Sequence, residues 1–357
     1  MKISLYQYSI PFRTPLKTAN AVFPVREGFL IHYLDKKAHI SVWAEASPLP
    51  GFSSESGSDI IQASDTLVQS ISEQRNHIAG IPSLAFAVDC ILWKIGRNDE
   101  KKSSPEKSQK TFSPTPRNIP VNTAIGIADK EMVLNKVNHY YKDGYRTFKF
   151  KVGLNRALEE AILSSVFMKY PDISIRLDAN RGWSLETALS ILGDWKQFNP
   201  EYCEEPVQDG IFDHLSEIQT ATGVPVAADE SVRDIRSARI LIDGKLVEFL
   251  ILKPALIGRI SDFLQICEMA QNSGIGVVVT TALESAIGRS WIYALASTIQ
   301  NGLAMGLATG NLFEYDIAKD SHLFRDGHLC FHPDLLNTIQ PHTDQLKSLK
   351  SVWEYEI

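Results

Sequence analysis

The chain has 357 residues, of which 44% are hydrophobic, and its 42 acidic and 36 basic side chains give a formal net charge of −6. This length and apolar content suit a large α/β barrel with a smaller domain, and the acidic balance argues against a nucleic-acid-binding surface. No apolar run approaches the roughly 20 residues that span a bilayer, and the N-terminus lacks a long apolar stretch, so we expect a cytoplasmic protein without membrane contact. These features favour neither a monomer nor a homo-oligomer.

The N-terminal part of the chain predicts a small α+β unit. Apolar patterns predict strands within residues 1–10 and 28–46 and helices at residues 60–74 and 81–95. A polar, proline-containing loop is expected at residues 14–24, and residues 49–54 are too rich in Pro, Gly and Ser for regular structure. Residues 97–117, rich in Lys, Ser and Pro, mark a domain boundary or a solvated connection.

From residue 120 onward one pattern repeats: a short β-branched run ends in polar residues and a helical stretch follows. The predicted strands are residues 120–125, 147–152, 174–179, 201–204, 225–229, 249–253, 276–282 and 304–309. Strands that alternate with helices of this length indicate βαβ units and a parallel sheet, and eight of them indicate a closed barrel of the (β/α)7β type. A doubly wound open sheet is the alternative, but no Gly-rich phosphate loop follows an early strand.

Charged side chains stand at the C-terminal ends of these predicted strands, where a barrel carries its chemistry. Asp178, Glu204 and Asp229 each end a mostly apolar run, at intervals of about one βα unit. Three carboxylates that converge at a barrel mouth repel one another unless a cation lies between them, and Mg²⁺, with Mn²⁺ as a substitute, suits such oxygen ligands. Alternatively, each acid caps the helix that follows it.

Three lysines flank the carboxylates. Lys149 and Lys151 alternate with Phe148 and Phe150, so both lysines share the face of the strand that points into the barrel. Lys253 ends another apolar strand and is expected roughly across the barrel from Lys151, which leaves a substrate-sized gap. An inward lysine is costly to bury without an anion, so these side chains indicate either catalysis or structural salt bridges.

Five short segments at these strand ends resemble the ordered motifs of the enolase superfamily, in the muconate-lactonizing-enzyme-like branch with a lysine on each side of the barrel. They are Lys-Phe-Lys at 149–151, Leu-Asp-Ala-Asn at 177–180, Glu-Glu-Pro at 204–206, Asp-Glu-Ser at 229–231 and Leu-Lys-Pro at 252–254. The resemblance implies a capping domain and linker at residues 1–117, a (β/α)7β TIM-like barrel at 118–320, and a C-terminal segment at 321–357 that returns to the α+β capping domain.

The same resemblance implies that Mg²⁺ is held by Asp178, Glu204 and Asp229. The preference for Glu204 over Glu205 rests on the family pattern, because the sequence alone leaves these two neighbours ambiguous.

Further segments, at residues 43–53, 176–183, 284–288 and 306–310, are similar to the o-succinylbenzoate synthase family. This similarity implies a syn dehydration of 2-succinyl-6-hydroxy-2,4-cyclohexadiene-1-carboxylate to 2-succinylbenzoate, a step of menaquinone biosynthesis. Lys151 is then expected to carry the proton, Lys253 to stabilise the anionic ring and Lys149 to orient Lys151. The expected substrate contacts are Asn180, Arg176, Thr280, Glu284, Thr309 and Gly310.

Two other functions remain open at the level of the sequence. The same pair of lysines suits a 1,1-proton transfer, as in the dipeptide epimerases and N-acylamino acid racemases of the superfamily, and kinship of fold does not exclude it. A non-catalytic binding relative is the alternative from another class.

Overall fold

The computed structural model describes residues 1–17, 22–97, 112–126, 128–320 and 322–356. Most of the predicted boundary at 97–117, and residues 18–21 of the predicted loop, therefore lie outside the described residues. The strands are β1 (Lys2–Lys17), β2 (Val22–Asp35), β3 (Ile40–Ala46), β4 (Arg117–Pro120), β5 (Thr123–Ile125), β6 (Thr147–Lys151), β7 (Ser174–Asp178), β8 (Tyr202–Glu204), β9 (Val226–Ala228), β10 (Phe249–Leu252), β11 (Gly276–Val279), β12 (Leu323–Arg325), β13 (His328–Phe331) and β14 (Lys350–Glu356). The α-helices are α1 (Gly57–Gln62), α2 (Ser64–Ser72), α3 (Pro82–Arg97), α4 (Lys130–Lys142), α5 (Arg156–Lys169), α6 (Leu185–Trp195), α7 (Phe212–Thr222), α8 (Ile235–Asp243), α9 (Pro254–Ile257), α10 (Ile260–Asn272), α11 (Ala286–Ser297) and α12 (Thr343–Ser348).

The N-terminal domain is an antiparallel sheet in the order β14-β1-β2-β3, with α3 packed against β3. Ile3 and Leu5 alternate along β1 and are fully buried, as are Leu84, Val88 and Ile91, which recur on one face of α3. Periods of two and of about 3.6 residues thus bring one apolar face of the sheet onto one apolar stripe of the helix.

Three details of this domain differ from the sequence predictions. Where it is described, the predicted loop at 14–24 is strand: Leu16 and Lys17 pair with Phe23 and Val22, although Pro15 and Pro24 interrupt regular apolar alternation in the sequence. The predicted strand region at 28–46 is divided by a turn in which Asp35 Oδ1 accepts the backbone N–H groups of residues 37 and 38. The predicted helix at 60–74 is two helices, α1 and α2, separated at residue 63.

The barrel is built from parallel strands in the order β11-β10-β9-β8-β7-β6-β5. Its two edges are joined through residues 305 and 306, which form parallel bridges to Val121 and Thr280. Met305 N donates to Pro120 O over 2.8 Å, and Gly306 N donates to Val279 O over 2.9 Å. The predicted eighth strand at 304–309 is thus reduced to this short bridge, and the predicted (β/α)7β barrel is confirmed.

The C-terminal segment serves both domains. β12, β13 and β4 form a small antiparallel sheet in that order, whereas β14 returns to the N-terminal domain and pairs with β1. In the described part of the chain, none of the helices combines the length and apolar character needed to cross a bilayer.

Candidate active site

The charged residues predicted at the strand ends meet at the mouth of the barrel. In the sheet, Lys151 lies beside Asp178, and Asp178 lies beside Glu204. Asp229 follows β9 directly, and Lys253 follows β10. The predicted inward direction of the β6 lysines is also observed, since Phe148 and Phe150 are buried in the core while the side chains of Lys149 and Lys151 keep 19% and 36% of their exposure.

Each lysine of the ring contacts a carboxylate. Lys149 Nζ lies 3.0 Å from Glu204 Oε1 and 2.9 Å from Asp178 Oδ2. Lys151 Nζ lies 2.7 Å from the same Asp178 oxygen and also donates to Asn180 Oδ1. On the other side of the barrel, Lys253 Nζ pairs with Asp229 Oδ1. Lys151 is the most exposed of the three lysines, so its Nζ is the most accessible from the barrel mouth.

Burial and charge oppose each other at these groups. Burial by itself raises the pKa of Asp178, but the ammonium groups of Lys149 and Lys151 hold it below its ordinary value. Burial and the nearby charge of Asp178 raise the pKa of Glu204 to about 8. Burial lowers the pKa of Lys253, but the Asp229 and Glu204 carboxylates outweigh it and leave the pKa raised, which favours a permanent ammonium ion.

The donor chemistry of the site fits a hard divalent cation. Among the described residues, no group of three or more His, Cys, Asp or Glu side chains is arranged as it stands to hold a metal ion, because Lys149 lies between Asp178 and Glu204 and Lys253 pairs with Asp229. However, burial and the charge of Asp178 disfavour the ionised form of Glu204, and a divalent cation beside Glu204 would favour that form. The three carboxylates are thus the side chains that would hold Mg²⁺.

The structure separates the roles of Glu204 and Glu205, which the sequence left ambiguous. Glu205 is fully buried, and its carboxylate accepts the backbone N–H of Asp229 at 3.0 Å and that of Ser231 at 2.6 Å. It also pairs with Arg181 Nε at 3.3 Å. Glu205 is therefore engaged in holding the turn after β9, whereas Glu204 contacts Lys149 in the ring.

We expect Glu205→Gln to weaken Mg²⁺ binding by about 10- to 100-fold, because the turn that carries Asp229 loses a charged acceptor for its N–H groups. Isothermal titration of Mg²⁺ into the metal-free protein measures the effect. Glu217→Gln, an exposed change on α7, is the matched control and should bind like the unaltered protein. An unchanged affinity in Glu205→Gln would contradict this role.

The predicted substrate contacts divide into two groups. Asn180, Thr280, Thr309 and Gly310 are partly accessible; Asn180 donates to Glu230 at 3.3 Å, and Thr280 Oγ1 donates to the Gly306 carbonyl at 2.9 Å. Arg176 and Glu284, by contrast, are only 0% and 1% exposed.

The partners of Arg176 and Glu284 set these two residues apart from the other predicted substrate contacts. Arg176 lies two residues below Asp178 on β7, where it pairs with Glu201 and donates to the Ala304 carbonyl at 2.7 Å inside the barrel. Glu284 Oε2 accepts from Ala282 N at 2.7 Å, and within the described residues its other oxygen has no hydrogen-bond partner. We assign Arg176 to the interior of the barrel and Glu284 to the buried segment between β11 and α11, and their role as substrate contacts stays a prediction.

We expect Glu284→Gln to stabilise the protein at high pH. Burial, together with the charge of Glu45, raises the pKa of Glu284 to about 7 from an ordinary 4.5, so the folded state loses stability as pH rises through this window. Glutamine cannot ionise and avoids this loss. The melting temperature should exceed that of the unaltered protein by about a few degrees near pH 8 and differ little near pH 5. An equal difference at both pH values would contradict the assignment.

The loops at 14–24 and 49–54 of the N-terminal domain are expected from the sequence to close over the ligand, and the structure adds which side chains of this domain lie near the site. The ring of Phe52 lies 5.7 Å from Lys253 Nζ, so the loop at 49–54 covers one side of the barrel mouth. Near the other end of the domain, Arg13 Nε donates to the Asn311 carbonyl at 3.1 Å, beside the turn formed by residues 309 and 310. The N-terminal domain therefore caps the barrel.

The comparisons with known proteins agree with this architecture. The family model "Enolase C-terminal domain-like" matches residues 132–334, more than half of the chain, and the model "MenC, N-terminal domain" matches residues 1–95. The o-succinylbenzoate synthase of Haemophilus influenzae is 27% identical over 329 residues, which cover 88% of this chain and 92% of that protein.

Solved structures agree in fold. A member of the enolase superfamily from Listeria innocua superposes with a TM-score of 0.83 at 23% identity and covers 99% of this chain and 98% of its own. The N-succinyl Arg/Lys racemase from Bacillus cereus superposes with a TM-score of 0.80 at 22% identity, with the same coverage. The chain therefore belongs to the family of enolase C-terminal domain-like proteins, within the enolase superfamily.

Proposed function

We propose that the chain is an o-succinylbenzoate synthase that removes water from 2-succinyl-6-hydroxy-2,4-cyclohexadiene-1-carboxylate. The observation that carries the proposal is the ring of charges at the barrel mouth, in which three carboxylates lie between lysines on opposite sides. Lys151 on β6 is on one side, and Lys253 beyond β10 is on the other. The similarity of both domains to the synthases supports this particular reaction.

Lys151 is the residue suited to move the proton, because its Nζ is the most exposed of the ring and is oriented by Asp178 and Asn180. In its amine form it removes the proton from the ring carbon that bears the carboxylate. The electron pair of that C–H bond becomes a ring double bond, and the neighbouring C–O bond breaks. The ammonium group of Lys151 then gives its proton to the departing hydroxyl, so that water and the aromatic product are formed.

Lys253 supplies a fixed positive charge on the other face of the ring. Its pairing with Asp229 and its raised pKa keep it protonated, and the ring of Phe52 lies 5.7 Å from its Nζ. An ammonium ion in this position stabilises negative charge that develops on the substrate ring. Mg²⁺ on Asp178, Glu204 and Asp229 would supply further positive charge for the substrate carboxylate.

A 1,1-proton transfer is the second candidate, and the lysines on opposite sides of the barrel favour it. Each lysine would then serve one face of an α-carbon, as in a racemase. The similarity in fold to the Bacillus cereus racemase is compatible with this chemistry but does not select it, since that identity is 22%.

The deciding experiment gives the purified protein and Mg²⁺ the cyclohexadiene substrate and, separately, both enantiomers of an N-succinylamino acid in deuterated water. We expect rapid formation of 2-succinylbenzoate and much slower exchange of the α-proton. Efficient exchange and interconversion of enantiomers without dehydration would overturn the proposal in favour of the racemase.

A further inference from the structure

A buried carboxylate of the capping domain is bound by the barrel. Glu45 lies on β3, is 2% exposed, and accepts the Tyr8 hydroxyl at 2.5 Å from within its own domain. Its other donors belong to the barrel: the backbone N–H of Ser285 at 3.1 Å, the Ser285 hydroxyl, and the backbone N–H of Gly288 at 3.0 Å. Most of the hydrogen bonds that stabilise this carboxylate therefore cross the domain interface.

The barrel offers these donors because α11 begins there. The first N–H groups of a helix have no partner within the helix, and the helix dipole favours an anion beside them. Ser285 caps the 12-residue helix by accepting the Ile287 N–H, Asp316 accepts the Ala286 N–H at 3.0 Å, and Glu45 accepts the N–H groups of Ser285 and Gly288. A Cβ atom on residue 288 would lie 2.8 Å from Glu45 Oε2, so the glycine at this position makes room for the carboxylate.

Arg26 reinforces the same junction from β2. Its Nε donates to the Leu283 carbonyl of the barrel at 3.0 Å. Its two Nη atoms donate to the carbonyls of Pro48 at 2.7 Å and Ser47 at 2.6 Å, which begin the loop after β3. The guanidinium group thus fixes the start of the capping loop against the segment that leads from β11 to α11.

This junction lies directly before the part of the cap that reaches the lysine. Beyond Pro48 the chain folds into a tight turn, with Phe52 N and Ser53 N both donating to the Leu49 carbonyl, at 3.0 and 2.8 Å. A turn held by its own hydrogen bonds moves as a unit, so its position over Lys253 depends on how its base is attached to the barrel.

We propose that Glu45 is a positioning residue that anchors the capping domain on α11 and so holds Phe52 over Lys253. The identity of the substrate in this inference rests on the proposed function. Loss of the anchor leaves the ring of charges intact but lets the capping loop separate from it. We therefore expect substrate affinity to fall more than the rate of the chemical step, because part of the binding free energy is then used to order the loosened capping loop.

The test compares Glu45→Gln with Tyr8→Phe, which removes the donor from the capping domain and leaves the bonds to the barrel in place. In Glu45→Gln we expect the KM for the cyclohexadiene substrate to rise about tenfold while kcat changes little, and deuterium uptake at residues 47–53 to increase. Tyr8→Phe should show much smaller changes. Ser285→Ala removes the hydroxyl donor to Glu45 together with the N-cap of α11, and it is the milder variant on the barrel side if Glu45→Gln folds poorly.

A lower melting temperature with unchanged KM and unchanged uptake at residues 47–53 would reduce Glu45 to a stabilising contact and overturn the proposal. Equal effects of Tyr8→Phe and Glu45→Gln would also overturn it, because the bonds across the interface would then carry no special role. Deuterium uptake needs no substrate, so it tests the anchor even if the protein does not catalyse the dehydration.

Discussion

Replacement of Lys151 by alanine is expected to lower kcat/KM for dehydration by about 10²- to 10⁴-fold, the usual effect of removing a general base from an organised site. Lys151 Nζ contacts Asp178 and Asn180 and is the ammonium group most open to the barrel mouth. Because the proposed reaction uses this one amine for both proton transfers, its loss removes the acid and the base together. The rate of formation of the aromatic product measures the effect.

Lys253 provides the matched comparison, because its proposed role is electrostatic. Lys253→Arg keeps the positive charge but changes its shape, so it should be impaired yet remain more active than Lys253→Met. If Lys151→Ala remained active while Lys253→Ala lost the reaction, the two roles would have to be exchanged. A racemase would instead lose proton exchange from one face of its substrate in each variant.

Much of the barrel could be predicted from the sequence because each strand is buried by the helices around it. The mostly apolar run of β7 ends at Asp178, and the backbone leaves the sheet at Asn180, whose φ is positive, so the predicted strand at 174–179 and the observed strand differ by one residue. The eighth strand is different. Only two of its residues, Met305 and Gly306, bridge to the neighbouring strands. So short a bridge has no alternation that would give its bounds in the sequence.

The ring of charges was predictable for a related reason, whereas depth within the barrel was not. Alternation along a strand shows which side chains face inward, and Arg176 has the same parity as Asp178. Parity does not give the height of a residue above the barrel floor: Arg176 points inward like Asp178, but it pairs with Glu201 and the Ala304 carbonyl instead of with the lysines. Glu45 and Glu284 meet through packing between domains, which no local pattern encodes.

Removal of divalent metal is expected to abolish dehydration, and Mg²⁺ or Mn²⁺ is expected to restore it. Burial and the charge of Asp178 raise the pKa of Glu204 to about 8, which disfavours its ionised form. A divalent ion would favour its ionised form and hold the substrate carboxylate nearby. Activity after exhaustive chelation, followed by titration with each metal, measures the requirement.

Single substitutions separate loss of the metal from loss of the fold. Asp178→Asn and Asp229→Asn should each weaken Mg²⁺ binding in calorimetry while circular dichroism remains that of the folded barrel, because each replaces an anionic oxygen ligand by a neutral amide. Asp194→Asn is the control: this side chain is 59% exposed on α6, so both metal binding and activity should persist. Full activity of the metal-free protein, or unchanged Mg²⁺ affinity in both ring variants, would show that the three carboxylates serve the lysines alone.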